Sequence, residues 1–269
     1  MVTVAGLQLC PAQHPENNNK GNPAMLRVVL HRCALLCLTL LAVPAHSADS
    51  PYDLFQAEAC QAVNSLLLYR GEGLQEKYSQ RLREDLQKLA NQMAALPAST
   101  PALVQKHAEL DRQLRLGLTF GPKEDDMPWA YPEDLAEALR QVLLASVDAS
   151  GGDAVNGLSS RIEYLTVQYL YRAYFGLFEI LRERPEMYMG QNEQVLISSI
   201  EASLIDKAKS PELQDSKAQG RWKFLKVALS DMNTGDGAVM VGTRSGRAYA
   251  PLVVDRHARA LTLRIAQLQ

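Results

Sequence analysis

The chain has 269 residues, of which 28 are basic and 30 acidic, for a formal net charge of −2. That length allows one domain of ordinary size or two small ones, with enough chain to bury a proper core. Mixed charge without concentrated Lys and Arg argues against a nucleic-acid or anionic-membrane partner.

Residues 1–24, "MVTVAGLQLCPAQHPENNNKGNPA", carry neither a helical nor a strand period. Met25 then opens a different pattern. Arg27, His31 and Arg32 precede an apolar run of eleven residues, Cys33 to Val43, and the run exits through Ala45-His46-Ser47. Eleven residues cannot cross a hydrocarbon core of roughly 30 Å, which needs about 20. A basic start, a short apolar run and a small-x-small exit are the three parts of a secretory signal. The expectation is translation from Met25, with 1–24 a mis-assigned start, 25–47 a signal peptide cleaved after Ser47, and a periplasmic product. No Cys follows a small residue at the exit, so a lipid anchor is not expected. An uncleaved amphipathic anchor is the alternative reading of this segment.

Residues 48–269 then form the mature chain, with 25 basic and 29 acidic side chains. Only Cys60 of the four cysteines survives processing, so no internal disulfide can form and stability must come from packing. Cys60 sits with Phe55, Ala59 and Val63 on a helical stripe, where a free cysteine behaves as a small apolar residue.

Helical spacing dominates the remainder. Leu82, Leu86, Leu89 and Met93 recur at one helix face. Leu103, His107, Leu110 and Leu114 repeat the pattern, and Val254, Ala258, Leu261 and Ile265 close it. Thr100-Pro101, Tyr131-Pro132, Ser210-Pro211 and Ala250-Pro251 place Pro where a first helical turn tolerates its missing N–H. The pattern predicts helices over 52–70, 75–96, 101–118, 132–147, 158–182, 192–208, 211–232 and 250–268. The glycine-rich stretch "ASVDASGGDAVNG" divides them into blocks of four. The fold expected is all-α: two consecutive antiparallel bundles over 48–150 and 158–269, joined by a linker at 151–157. One continuous bundle is the rival arrangement.

"RIEYLTVQYLYRAYFGLFEILRE" gathers six aromatic residues, while aromatics make up 6% of the chain. Tyrosine combines an apolar body with a hydroxyl that needs a partner, which suits interfaces and clefts as well as a central buried helix. Tyr171, Tyr174 and Phe178 fall on one helical face and Leu165 and Tyr169 on another. With Trp222, these three are the candidate residues for binding a ligand or partner, in a cleft bordered by the 234–248 loop.

Other motifs carry less. "GAVMVGTR" has the glycine spacing of a phosphate loop but Thr243 where Lys belongs, and it follows a helix. Met187 and Met189 are too few for a soft-metal site. The acidic "KEDDMPWAYPED" lacks the ligand alternation of a calcium loop. His107 and His257 stand on apolar stripes, where a lone imidazole is more often a packed residue than a ligand. No Ser-His-Asp order or cofactor motif is present, so neither cofactor nor catalysis is expected. The reading is a non-catalytic binding protein with a sensing or scaffold role; the alternative is a metal-binding protein or enzyme using His107 or His257.

"RWKFLKVALSDMN" and "APLVVDRHARAL" resemble the closing helices of periplasmic helical modules related to the N-terminal sensor region of type IV pilus and chemotaxis transducers. Trp222, Phe224, Leu229, Asn233, Val254, Asp255 and Arg256 carry the likeness, which spans the C-terminal ~50 residues. It implies an all-α extracytoplasmic module that senses or scaffolds.

Overall fold

A computed structural model of the chain describes residues 49–151, 157–176, 193–207, 216–232 and 243–267. The expected leader at 25–47 and the preceding segment 1–24 lie outside these residues, as does Phe178. The described residues contain eight α-helices and no strand. They are α1 (Pro51–Gly71), α2 (Glu76–Ala95), α3 (Pro101–Gly117), α4 (Tyr131–Ala149), α5 (Leu158–Phe175), α6 (Glu193–Lys207), α7 (Ser216–Leu229) and α8 (Pro251–Ala266). No helix among them is long and apolar enough to cross a membrane.

The helix starts follow the expected chemistry. Ser50 and Asp53 form a reciprocal capping box, each side chain accepting from the other's backbone N–H, with Pro51 in the first turn. The Thr100 hydroxyl oxygen accepts from Leu103 N at 3.1 Å, and Pro101 follows it. One end differs from expectation. Gly176, read in the sequence as internal to a helix running to 182, adopts φ = 77° and terminates α5. That left-handed conformation is open to glycine at little steric cost and stops the helical ladder.

Two helices form the centre. On α1, Phe55, Ala59, Cys60, Ala62, Val63, Leu66 and Leu68 are fully buried. On α5, burial is continuous from Leu158 to Tyr171. Helices covered on every side belong to an interior. They lie side by side and parallel: Asp53 reaches Gly157, Gln61 reaches Glu163 and Glu72 reaches Tyr174, in that order along both helices. Around them, α2 packs on α1 and α8 on α5, α3 and α4 pair with each other and cover α1, and α6 and α7 complete the side around α5 and α8. Arg161 ties α5 to α6 by donating to the Ser199 and Ser203 hydroxyls at 2.9 Å each.

The eight helices of the described residues pack as an all-α bundle, in the continuous arrangement that the sequence leaves open beside the paired one. The described residues share one apolar core, because each half contributes its most buried helix to a common centre. Antiparallel pairing holds for sequence neighbours such as α1 and α2, but not for α1 and α5.

The N-terminus of α5 explains that parallel alignment. Its N-cap is Gly157, which has no side chain to supply a cap. The cap arrives from the residues before and at the start of α1. The Asp49 carboxylate accepts from Leu158 N at 3.0 Å and from Ser159 N at 3.2 Å, and Asp53 accepts from Gly157 N at 2.9 Å. These carboxylates satisfy three otherwise orphaned donors and complement the positive end of the helix dipole. Asp49→Ala should therefore cost about 1–2 kcal/mol in urea denaturation, whereas Asp148→Ala, at an exposed position on α4, should change stability by less than about 0.5 kcal/mol. Equal stability of Asp49→Ala and wild type would contradict the capping role.

Candidate functional site

Besides the capping Asp53, four polar side chains of the buried helix α1 are at least nine-tenths shielded: Gln56, Gln61, Asn64 and Ser65. Gln56 donates to Ser146 Oγ on α4 at 3.1 Å. The other three enter a lattice that joins α1, α2, α5 and α8. Arg259 on α8 grips both Asp85 carboxylate oxygens at 2.9 Å and reaches Gln61 Oε1, the Gln61 carbonyl and Ser65 Oγ. Arg81 on α2 grips both Asp255 oxygens at 2.8 and 3.2 Å and donates to Ser65 Oγ. The pairs are crossed, since α2 supplies Arg81 and Asp85 while α8 supplies Asp255 and Arg259 at the same four-residue spacing. Both contacts can form together only if α2 and α8 run parallel in one register.

Glu163 on α5 forms the second layer. Its Oε1 accepts from Gln61 Nε2 and from the Thr262 hydroxyl, each at 2.8 Å, and its Oε2 accepts from Asn64 Nδ2 at 3.3 Å. Full burial outweighs the attraction of Arg259 and pushes this carboxyl up to about 7. Asn64 Oδ1 has no partner among the described residues. Turning the Asn64 amide over would set that oxygen on Oε2, a contact that requires a proton on Glu163. The arrangement therefore accommodates the neutral acid as well as the anion. Cys60, fully buried beside this layer, has its thiol pushed well up by burial and by Glu163, which removes nucleophilic character at neutral pH.

The candidate residues read from the sequence take separate places. Tyr171 is buried in the core, where its hydroxyl donates to the Pro132 carbonyl of α4 at 3.2 Å. Tyr174 is half-buried and lies over the end of α1, donating to Glu72 Oε1 at 2.6 Å. Its ring fills the space above Gly71, where a β-carbon would meet it at 2.2 Å. Burial raises both phenols, and for Tyr174 the Glu72 carboxylate adds to the effect, so both stay protonated donors. Trp222 is buried on α7, its indole N–H without a partner among the described residues. The structure thus does not place Tyr171 and Tyr174 on one binding face: they address different helices.

What gathers at the C-terminal end of α5 is a different set. Tyr249 packs edge-on against Tyr169 with ring centroids 5.2 Å apart, and the Tyr169 hydroxyl oxygen accepts from Ala250 N at 3.0 Å. The described end of the 234–248 loop therefore leads directly onto the aromatic segment. Tyr174 and Phe175 at the end of α5 and Tyr249 before α8 are each half-buried against the core.

The histidines occupy two different seams. His107 on α3 tilts against Phe55 of α1 at 6.0 Å, and His257 on α8 stacks on Phe224 of α7 at 4.5 Å. Burial lowers both imidazoles. No group of three or more His, Cys, Asp or Glu among the described residues is placed to hold a metal ion. A polar groove of about 370 Å³ between α3 and α4 is lined by Lys106, Glu109, Gln113, Asp134, Glu137, Ala138 and Gln141, and Arg112 and Arg140 already pair with Glu109 and Glu137.

Compared with protein-family models, curated proteins and solved structures, the chain matches none.

Glu163 gives the lattice a pH signature. A carboxyl raised above its unfolded value near 4.5 leaves the native state holding the extra proton, so its favourable contribution is complete below that value. It is lost as pH rises through about 7. Glu163→Gln should match wild-type stability near pH 4.5 and exceed it by up to about 3 kcal/mol at pH 8, from roughly 1.4 kcal/mol per pH unit. Denaturation of both proteins across that range gives the difference; a variant less stable than wild type at pH 8 would contradict the assignment.

Proposed function

We propose that this protein is a non-catalytic, secreted helical protein of the periplasm that binds a ligand or protein partner in a sensing or scaffold role. The observation that carries this reading is the pair of half-buried tyrosines Tyr174, over the end of α1, and Tyr249, before α8, which keep their apolar bodies packed while remaining partly exposed. Half-buried tyrosines offer large, rigid contact area at small entropic cost, the property that concentrates them at binding surfaces.

The interior supports the same reading from the other side. The charged groups at the centre of the bundle are held by fixed partners that are themselves helix residues, and the reactive-type residue there, Cys60, is shielded and protonated. Secretion is supported by the short apolar run at 33–43 with its Ala45-His46-Ser47 exit. Cleavage after Ser47 leaves Asp49 two residues into the mature chain, free to cap α5. The likeness of "RWKFLKVALSDMN" and "APLVVDRHARAL" to transducer sensor modules is of one kind with this reading.

Tyr171 and Tyr174 separate a packing role from a binding role. Tyr171→Ala, a core truncation, should cost about 3–5 kcal/mol of stability. Tyr174→Ala should cost much less in stability and about 2 kcal/mol or more in binding. A photo-reactive side chain at position 174 should capture a discrete adduct in intact cells, and the same group at exposed Glu84 on α2 should not. Absence of an adduct at 174, or the same adducts at both positions, would overturn the proposal.

A further inference from the structure

We propose that the exposed face of α7 and α8 docks reversibly on an anionic phospholipid bilayer. This goes beyond binding at Tyr174 and Tyr249 and rests on a different part of the surface. The near-zero net charge of the chain conceals a strong polarity. Residues 216–269 hold nine basic and three acidic side chains, whereas residues 48–215 hold 16 basic and 26 acidic.

The structure sharpens that asymmetry at the surface. Of the acidic residues in the basic region, Asp255 is buried on Arg81, and Asp231 accepts from the Ser245 N–H and hydroxyl; Asp236 lies outside the described residues. Two of the cations are also occupied, Arg259 in the lattice and Lys226 on Glu201. Arg221, Lys223, Arg244, Arg247 and Arg256 form no ion pair among the described residues. By contrast, arginines on α2 to α4 pair routinely, as in Arg83–Glu76, Arg112–Glu109 and Arg115–Asp111.

Apolar side chains stand among these cations. Phe224 is 37% exposed, Val227 62%, Leu252 39% and Leu263 57%. Arg221 and Phe224 share one turn of α7, as do Lys223 and Val227, and Leu252 and Arg256 share one turn of α8. The two helices present these groups together, because Phe224 stacks on His257, and Arg221 and Arg256 both act electrostatically on that imidazole.

The commitment to a bilayer follows from this chemistry. A protein partner must meet each cation with a carboxylate at a fixed place. A bilayer presents phosphates in every register and takes apolar side chains between its headgroups without a preformed pocket. Helices of 14 and 16 residues offer a strip of about 20 Å with unpaired cations and apolar tips and no free carboxylate among the described residues. The acidic remainder of the molecule would be repelled by the same surface, so a planar anionic partner also orients the protein.

The test is co-sedimentation of the protein, as isolated from cells, with phosphatidylcholine vesicles containing either no charged lipid or about 30 mol% phosphatidylglycerol. Binding should require the anionic lipid and should weaken at least about tenfold in about 0.5 M salt. The variant R221E/K223E/R256E should lose at least about tenfold in vesicle affinity with an unchanged circular dichroism spectrum. Phe224→Ala with Val227→Ser, a milder pair, should weaken binding while leaving its dependence on anionic lipid intact. Equal binding to neutral and anionic vesicles, or equal binding by wild type and the charge-reversal variant, would overturn the proposal. So would absence of vesicle binding alongside self-association, or binding to an acidic protein, that the same three reversals abolish.

Discussion

The interior of this protein is organised by the need to satisfy polar groups on a helix with no exposed face. Gln56, Gln61, Asn64 and Ser65 lie among the most buried residues of α1. Left unpaired, each would cost about 1–3 kcal/mol. Only helices that bring complementary groups to the right heights can cover α1, and α2, α4, α5 and α8 each do so. The crossed pairs Arg81–Asp255 and Asp85–Arg259 extend the requirement to α2 and α8, which never follow one another in the chain. Ion pairs of this kind add little stability over an apolar filling, but losing one member strands a buried charge at about 3–5 kcal/mol. Their effect is to select one register for four helices against its neighbours.

That arrangement limits where function can reside. A centre filled by apolar side chains and polar groups hydrogen-bonded to one another gives partners access at the ends and outer faces. Helix α8 touches every feature that matters. It begins just after Tyr249, where Ala250 N meets Tyr169; it is bolted through Asp255, Arg259 and Thr262 to the lattice; and its outer side carries Leu252, Arg256 and Leu263. A partner at either surface therefore meets a helix held rigidly by the interior.

Much of this was legible in the sequence, for identifiable reasons. Apolar residues at helical spacing and prolines in first turns located eight helices, because both signals are local. Thr100 and Pro101 did what their chemistry requires. The lattice escaped notice because it is reciprocal across distant segments. Arg81 with Asp85, and Asp255 with Arg259, each look like an ordinary surface pair four residues apart until the two helices are brought together. The available signal was the polar run Gln61, Asn64 and Ser65 inside an otherwise apolar helix, with Glu163 inside the aromatic segment. Sequence alone leaves one core or two open, because the glycine-rich stretch at 151–157 reads as a boundary while the carboxylates that cap α5 lie a hundred residues earlier. The binding face inferred for Tyr171 and Tyr174 rested on angular spacing alone, and α4 and α1 divide those two rings between them. Net charge, summed over the whole chain, averaged away the basic surface of α7 and α8.

The central claim is that both halves of the chain share one cooperative interior organised around α1 and α5. Native-state hydrogen exchange measured residue by residue tests it most directly, since amides that open only with global unfolding report the same free energy. The account predicts a common opening free energy and a common denaturant dependence for the inner amides of α1, α2, α5 and α8. Two distinct values, one for α1 and α2 and another for α5 and α8, would mean that the halves unfold independently and would contradict it.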